Sequence, residues 1–219
     1  MIDTYTQEKQ ILYTFKTVIV GPPSAGKTCL FNRFCFNSFN FDTSLTIGVN
    51  FHSIDLKIRS KDEIRTQKES YNNQPPLHKS PRRKLENLHV VQAIFDFGGQ
   101  ERFKALIPKF LGGANGILLV FDLTNKNSFE QLEFWYDQVL EHANGLNLPK
   151  LLVGSKSDLI SSTMIKNLVL DEEIHNFIQE KNMDGYYETS ALQNHNVLSV
   201  FKELNNLMLK HQNTNYVVD

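Results

Sequence analysis

The sequence predicts an α/β fold: a doubly wound sheet of six mostly parallel strands, one antiparallel strand at its edge, and helices on both faces. Three observations carry this. Short continuous apolar runs, such as "GILLVFDL" (116–123) and "PKLLVGS" (149–155), read as strands buried on both faces. Amphipathic stretches such as "NSFEQLEFWYDQVLEHA" lie between such runs, the alternation expected of parallel strands joined by crossover helices. A glycine-bearing turn, "GPPSAGKT" (21–28), stands directly between a strand-like run and a helix-like one.

The elements follow in order. "YTFKTVIVG" (13–21) is apolar and β-branched, a buried strand feeding a turn. "KTCLFNRFCF" then places Leu30, Phe31 and Phe34 on one helical face. "VNFHSIDLKI" (49–58) and "LHVVQAIFDF" (88–97) are two further strands. The stretch between them is polar, charged and broken by prolines, so they read as a hairpin carrying an inserted loop at 60–88. Asn127 or Ser128 is the expected cap of the helix that follows 116–123. "DEEIHNFIQEKN" and "NVLSVFKELNNLMLKH" are two more amphipathic helices, with the short run "GYYETSA" between them. One domain over 13–211 is expected, with tails at 1–12 and 212–219.

Composition excludes several classes. Of 219 residues, 41% are hydrophobic and 21% charged, and the net charge is −1, which gives no reason for nucleic acid or an anionic membrane as main partner. The two cysteines, Cys29 and Cys35, are expected to be small buried apolar residues in a reducing, cytoplasmic setting. The start, "MIDTYTQEKQ", has no apolar signal region, and no run is long enough for a transmembrane helix. Ile at position 2 and an end without cysteine, "NTNYVVD", predict neither a myristoyl nor a prenyl anchor.

The chemistry is concentrated at the ends of the strands. Residues 21–28 fit G-x-x-x-x-G-K-[ST], the P-loop of the nucleoside-triphosphatase fold: Lys27 would reach the terminal phosphates and Thr28 would offer its hydroxyl to Mg²⁺. Pro22 and Pro23 depart from this logic, because proline has no N–H for a phosphate. "IFDFGGQE" puts Asp96 at a strand tip, where a carboxylate suits the outer shell of Mg²⁺, and Gly99 beside it, where an N–H can approach a phosphate unobstructed. "LLVGSKSD" ends another strand with Asp158, which can accept from the N1–H and N2–H edge of guanine, a donor pair adenine lacks. "ETSA" (188–191) ends the last strand, where a backbone N–H would meet guanine O6.

Taken in order, G-x-x-x-x-G-K-T, T-I-G, D-x-x-G-Q, S-K-x-D and E-T-S-A resemble the Ras superfamily of small GTPases. The Rab branch is the nearest, through "TIGVNF", "GILLVFDLTNKNSFE" and "LLVGSKSDL". The resemblance covers about residues 14 to 210 apart from the 60–88 insertion. It implies GTP and GDP as ligands with Mg²⁺. The backbone of Ser24, Ala25, Gly26, Lys27, Thr28 and Cys29 would hold the α- and β-phosphates. Thr28 and Thr46 would ligate Mg²⁺, with Asp96 holding it through water; Gly99 would sense the γ-phosphate, and Gln100 would orient the attacking water. Phe39 would pack across the guanine, Lys156 would lie along its plane, and Ser155, Asp158, Ser190 and Ala191 would complete the base site.

The departures from the family have expected consequences. Ser155 stands where most members have the asparagine that tethers the base loop to the P-loop, so lower affinity with retained guanine selectivity is expected. Gly98 replaces the usual alanine, loosening the switch hinge, and Thr43 replaces a tyrosine that often lids the nucleotide. The insertion contains "HKSPRRK" (78–84), read as a solvated loop, with partner docking or contact with anionic lipid as the functional alternative. No arginine lies between Asn37 and Asn50, so slow hydrolysis is expected, accelerated by an activating protein that supplies one. An exchange factor and effectors that bind the switches complete the implied partners of a monomer. The competing readings are a pseudo-GTPase that binds without turnover, and a P-loop kinase or ATPase, against which Asp158 and "ETSA" argue.

Overall fold

The computed structural model describes residues 8–40, 46–65, 87–143 and 147–219. Seven strands form one sheet in the order β6-β5-β4-β1-β3-β2-β7. They are β1 (Gln10–Val20), β2 (Val49–Ser60), β3 (Leu88–Phe97), β4 (Gly116–Asp122), β5 (Lys150–Ser155), β6 (Gly185–Glu188) and β7 (Tyr216–Val218). β1 lies between β3 and β4, parallel to both, and the parallel run continues through β5 and β6. The strand order therefore reverses at β1, the position where an α/β sheet opens a crevice for a ligand.

The helices are α1 (Lys27–Phe36), α2 (Ile107–Leu111), α3 (Lys126–Glu130), α4 (Leu132–His142), α5 (Asp171–Glu180) and α6 (Val197–His211). β1 is buried on both faces because its side chains alternate between two cores. Val18 and Val20 face one side with Phe97, Trp135 and Phe177, while Phe15 and Ile19 face the other with Phe31, Phe201 and Leu204. α1 and α6 meet over the second face, where Phe34 stacks on Phe201 with ring centroids 3.9 Å apart. Among the described residues no helix is long and apolar enough to cross a membrane.

Three details differ from the sequence reading. The sheet has seven strands, because part of the expected tail at 212–219 pairs antiparallel with β2 as β7 (Ile58 with Val218, Ser60 with Tyr216). Its apolar residues Tyr216 and Val218 join the α6-side core, and the Val218 N–H donates to Asn206 Oδ1. The antiparallel β2 is thus covered at its far end by β7, a three-residue strand, and edges kept that short resist unwanted pairing. The helical cap is Asn125, which accepts from the Ser128 N–H, while the Ser128 hydroxyl accepts from the Asp122 N–H at the end of β4 at 3.0 Å. Cys29 and Cys35 form no disulfide and are only half-buried, and burial pushes the Cys35 thiol up to about 12. Thr43 and residues 66–86 of the insertion, including its basic cluster, lie outside the described residues.

Candidate functional site

The carboxyl ends of β1, β3, β5 and β6, with the residues that lead into the antiparallel β2, bring the five sequence motifs to one end of the sheet. The turn after β1 ends in α1, whose first i→i−4 bond runs from the Leu30 N–H to the Gly26 carbonyl. The amides before Leu30 therefore open from a helix N-terminus, with the partial positive charge that attracts phosphate. Ser24, at φ 61°, and Lys156, at φ 60°, both hold the left-handed backbone region that non-glycine residues enter only where the surroundings enforce it. A cavity of about 160 Å³ lies over this turn, lined by Pro23 to Cys29 and by Thr46, Gly98, Gly99, Gln100 and Lys156.

Lys27 is 5% exposed, and its ammonium donates to the Gly21 carbonyl at 2.8 Å and the Pro22 carbonyl at 2.6 Å. Burial lowers its pKa from 10.5 to about 8, with the nearby Asp96 charge opposing. Pro22 thus has a use here that needs no N–H: its carbonyl holds the lysine. Asp96 is fully buried; its Oδ2 accepts from the Thr28 hydroxyl at 2.7 Å and from Asn50 Nδ2 at 2.9 Å, and its Oδ1 has no hydrogen-bond partner. Burial raises its pKa, while the bonds from Thr28 and Asn50 and the charge of Lys27 oppose that. The Thr28 and Thr46 hydroxyls lie 2.6 Å apart. Two hydroxyls and one carboxylate with an unused buried oxygen form a hard oxygen set of the kind that would hold Mg²⁺. Among the described residues no group of three His, Cys, Asp or Glu side chains gathers to bind a metal by itself.

The turn after β3 is pressed between two backbones. A methyl group on Gly99 would lie 2.6 Å from the Gly21 carbonyl oxygen and 2.7 Å from Pro23 N, so no side chain fits there. One on Gly98 would lie 2.6 Å from the Thr46 carbonyl oxygen. Gly98 does more than loosen a hinge: it gives the Thr46 segment room to dock, with the Gly98 N–H donating to the Gly48 carbonyl at 2.9 Å. Gln100 Nε2 donates to the Thr46 carbonyl at 3.3 Å.

An adjoining cavity of about 310 Å³ is bounded by Gly26, Cys29, Phe39, Ser155, Lys156, Asp158 and Ala191, among others. Ser155 is buried, and its hydroxyl donates to the Ala25 carbonyl at 2.6 Å, which ties the end of β5 to the turn after β1. Lys156 pairs with Asp122 at 2.7 Å. Ser190 is fully buried and lines neither cavity; its hydroxyl donates to Asp158 Oδ1 at 2.5 Å, so its side chain supports Asp158 from behind the cavity wall.

Sequence comparison matches residues 77–210 to the Ras family and residues 16–74 to the Ras of Complex, Roc, domain of DAPkinase. The GTP-binding protein ypt3 of Schizosaccharomyces pombe is 32% identical over 196 residues, 90% of this chain and 76% of that protein. The Ras-related proteins RGP1 of rice and RABA4d of Arabidopsis thaliana are each 32% identical over 193 residues, 88% of this chain and 71% and 72% of theirs. The chain belongs to the Ras family of small GTPases. It is Rab-like, and its P-loop fold agrees with that membership.

In this small GTPase the structure adds three residues that motif reading passed over. Asn50 stands opposite Asp96 in the β2–β3 register and donates to it. Asp122 receives the Lys156 ammonium and is itself held by the Thr124 N–H and hydroxyl. Arg33, on α1, donates to the Ala191 carbonyl at 2.7 Å. None belongs to a sequence motif for nucleotide; their signal is strand register and proximity, which one-dimensional spacing does not carry.

Proposed function

We propose that this Rab-like small GTPase binds GTP and GDP with Mg²⁺ across the two adjoining cavities and slowly hydrolyses GTP to GDP and phosphate. The observation that carries this is the junction of a phosphate-type turn with an apolar-walled, Asp158-bearing cavity over one run of strand ends. The amides of 24–29 and Lys27 hold the α- and β-phosphates; the phosphates replace the Gly21 and Pro22 carbonyls as partners of the Lys27 ammonium. Bound Mg²⁺ supplies charge neutralisation to the transferring phosphoryl group. Thr28, Thr46 and Asp96 are the residues suited to hold it.

Gln100 turns its amide from the Thr46 carbonyl to orient the attacking water, and Gly99 brings its N–H to the γ-phosphate. Phe39 covers the guanine, Lys156 lies along it, Asp158 accepts from its N1–H and N2–H, and Ala191 donates to O6, with Ser155 and Ser190 holding the loops. Thr46 and Gly99 release the two switch segments when the γ-phosphate leaves. An activating protein supplies the missing arginine, an exchange factor restores GTP, and effectors read the switches. The setting is cytoplasmic, which two cysteines outside any disulfide suit, and Rab-like sequence suggests a role in signalling or membrane trafficking by analogy.

Mass spectrometry of nucleotide carried through purification tests the ligand: guanine nucleotide is expected, and adenine nucleotide alone would overturn it. Single-turnover hydrolysis tests the reaction. Gln100→Leu is expected to slow it; bound GTP that persists for days in Mg²⁺, with Gln100→Leu changing nothing, leaves a binding module that does not turn over.

A further inference from the structure

We infer that Arg33 is a positioning residue for base recognition, holding the two walls of the larger cavity at a set separation. Its guanidinium reaches both. On one side Nε donates to the Ala191 carbonyl at 2.7 Å and Nη2 to the Leu192 carbonyl at 3.4 Å. On the other, Nη1 donates to the Asn37 carbonyl at 3.0 Å and to Asn37 Oδ1 at 3.3 Å. Ala191 and Leu192 line the cavity from the β6 side, and Phe39, two residues beyond Asn37, lines it from the other.

The loop after β6 is restrained in two different ways. Up to Ser190 it is held by backbone: the Ser157 N–H donates to the Thr189 carbonyl, and Ser190 and His195 exchange N–H···O bonds. At Ala191 and Leu192 the side chain that takes hold of the carbonyls is Arg33, across 158 residues of sequence. A guanidinium presents five donors in a rigid fork, which suits three carbonyls in two directions; an ammonium is a point charge and holds one direction well. The Ala191 N–H shares its peptide plane with the Ser190 carbonyl, which accepts from the His195 N–H, while Arg33 holds the Ala191 carbonyl on the other side of the same Cα, so the residue that meets the 6-position is pinned from both sides. Asp158 is held separately, by Ser190. Arg33 therefore governs readout of the 6-position of the base and leaves the Asp158 edge alone. The inference rests on the guanine reading of the cavity given above.

The test uses the full chain with GDP, GTP and ATP and two analogues: 6-thio-GTP, in which sulfur replaces only the O6 acceptor, and ITP, which lacks only the 2-amino donor. Arg33→Ala is expected to release GDP about tenfold faster, the scale of one charge-assisted hydrogen bond. Its preference for GTP over 6-thio-GTP should shrink severalfold, while its preference for GTP over ITP stays within about twofold of wild type. Arg33→Lys should fall between, and it carries the measurement if Arg33→Ala does not fold. A purely structural arginine would weaken all nucleotides together. Equal loss of both preferences, or no change in either, overturns the inference, whatever happens to the melting temperature. If the wild-type chain does not prefer GTP to ATP, the guanine reading itself has failed, before any Arg33 variant is measured, and this inference falls with it.

Discussion

Ser155→Ala isolates the one side-chain bond that ties the base loop to the phosphate turn. The Ser155 hydroxyl donates to the Ala25 carbonyl at 2.6 Å, with the two residues 5% and 1% exposed, so water does not take over when the hydroxyl is removed. A neutral hydrogen bond contributes about 1 kcal/mol net, and leaving a buried acceptor short of a donor costs about 1–3 kcal/mol. A loss of about 1–2 kcal/mol is a factor of roughly 5–30 in an equilibrium. The bond shapes the turn that carries Ser24 to Thr28, so most of that loss should fall on the nucleotide-bound state. Release of a fluorescent GDP analogue into excess GDP, with Mg²⁺ present, should therefore be about 5–30-fold faster in Ser155→Ala. Ser155→Thr keeps the hydroxyl and should stay within about threefold of wild type. If Ser155→Ala releases the analogue at the wild-type rate, the tether does not serve the nucleotide and the reasoning is wrong, even if the variant unfolds at a lower temperature.

Three further outcomes are expected. Lys27→Met should raise the melting temperature of the nucleotide-free protein and abolish the rise that GDP produces, because a buried ammonium costs stability until phosphate joins it. The pH dependence follows from its folded pKa near 8 against 10.5 unfolded: below 8 both states hold the proton and the penalty is complete, and between about 8 and 10.5 the folded state sheds it first, so wild-type stability rises relative to Lys27→Met. Urea titrations of both proteins at pH 7.5 and 9.5 check this; a gap that widens with pH would refute it. Deleting residues 216–219 strips β7 from Ile58, which is 1% exposed, and should cost about 2 kcal/mol, or roughly 4–8 °C for a chain of this size, with GDP release unchanged. Pro23→Gly should alter hydrolysis stimulated by an activating protein more than it alters GDP affinity, since Pro23 is exposed at the cavity rim and its nitrogen borders Gly99; identical intrinsic and stimulated rates in the two proteins would reject this.

The larger part of the fold was legible because its signals are local. Strands buried on both faces must be apolar throughout, so β4 and β5 stand out as continuous runs, and the residues that end them stand next to those runs in the chain. That is why Lys27, Asp96 and Asp158 could be singled out at strand ends in the sequence, and why they, with Ser155, stand at one end of the sheet. What happened at the margins was decided elsewhere. β7 is three residues long, with no periodicity to read, and exists because β2 offers it an unpaired edge and α6 offers Asn206. Asn50 and Arg33 carry no motif, and their partners Asp96 and Ala191 are 46 and 158 residues away.

Order along the chain predicted, without any coordinates, that the P-loop turn, Asp96, Gln100 and Asp158 would stand at one end of the sheet, because each stands at or just beyond the end of its strand. Whether Ser155 could replace an asparagine, or why glycine stands at 98, was not decidable there. The first depends on the 2.6 Å gap to the Ala25 carbonyl, short enough for a hydroxyl to span. The second depends on the Thr46 carbonyl lying 2.6 Å from where a methyl group would stand. Both are distances between segments remote in sequence, and only the packed sheet, with β1 flanked by β3 and β4, brings those segments together.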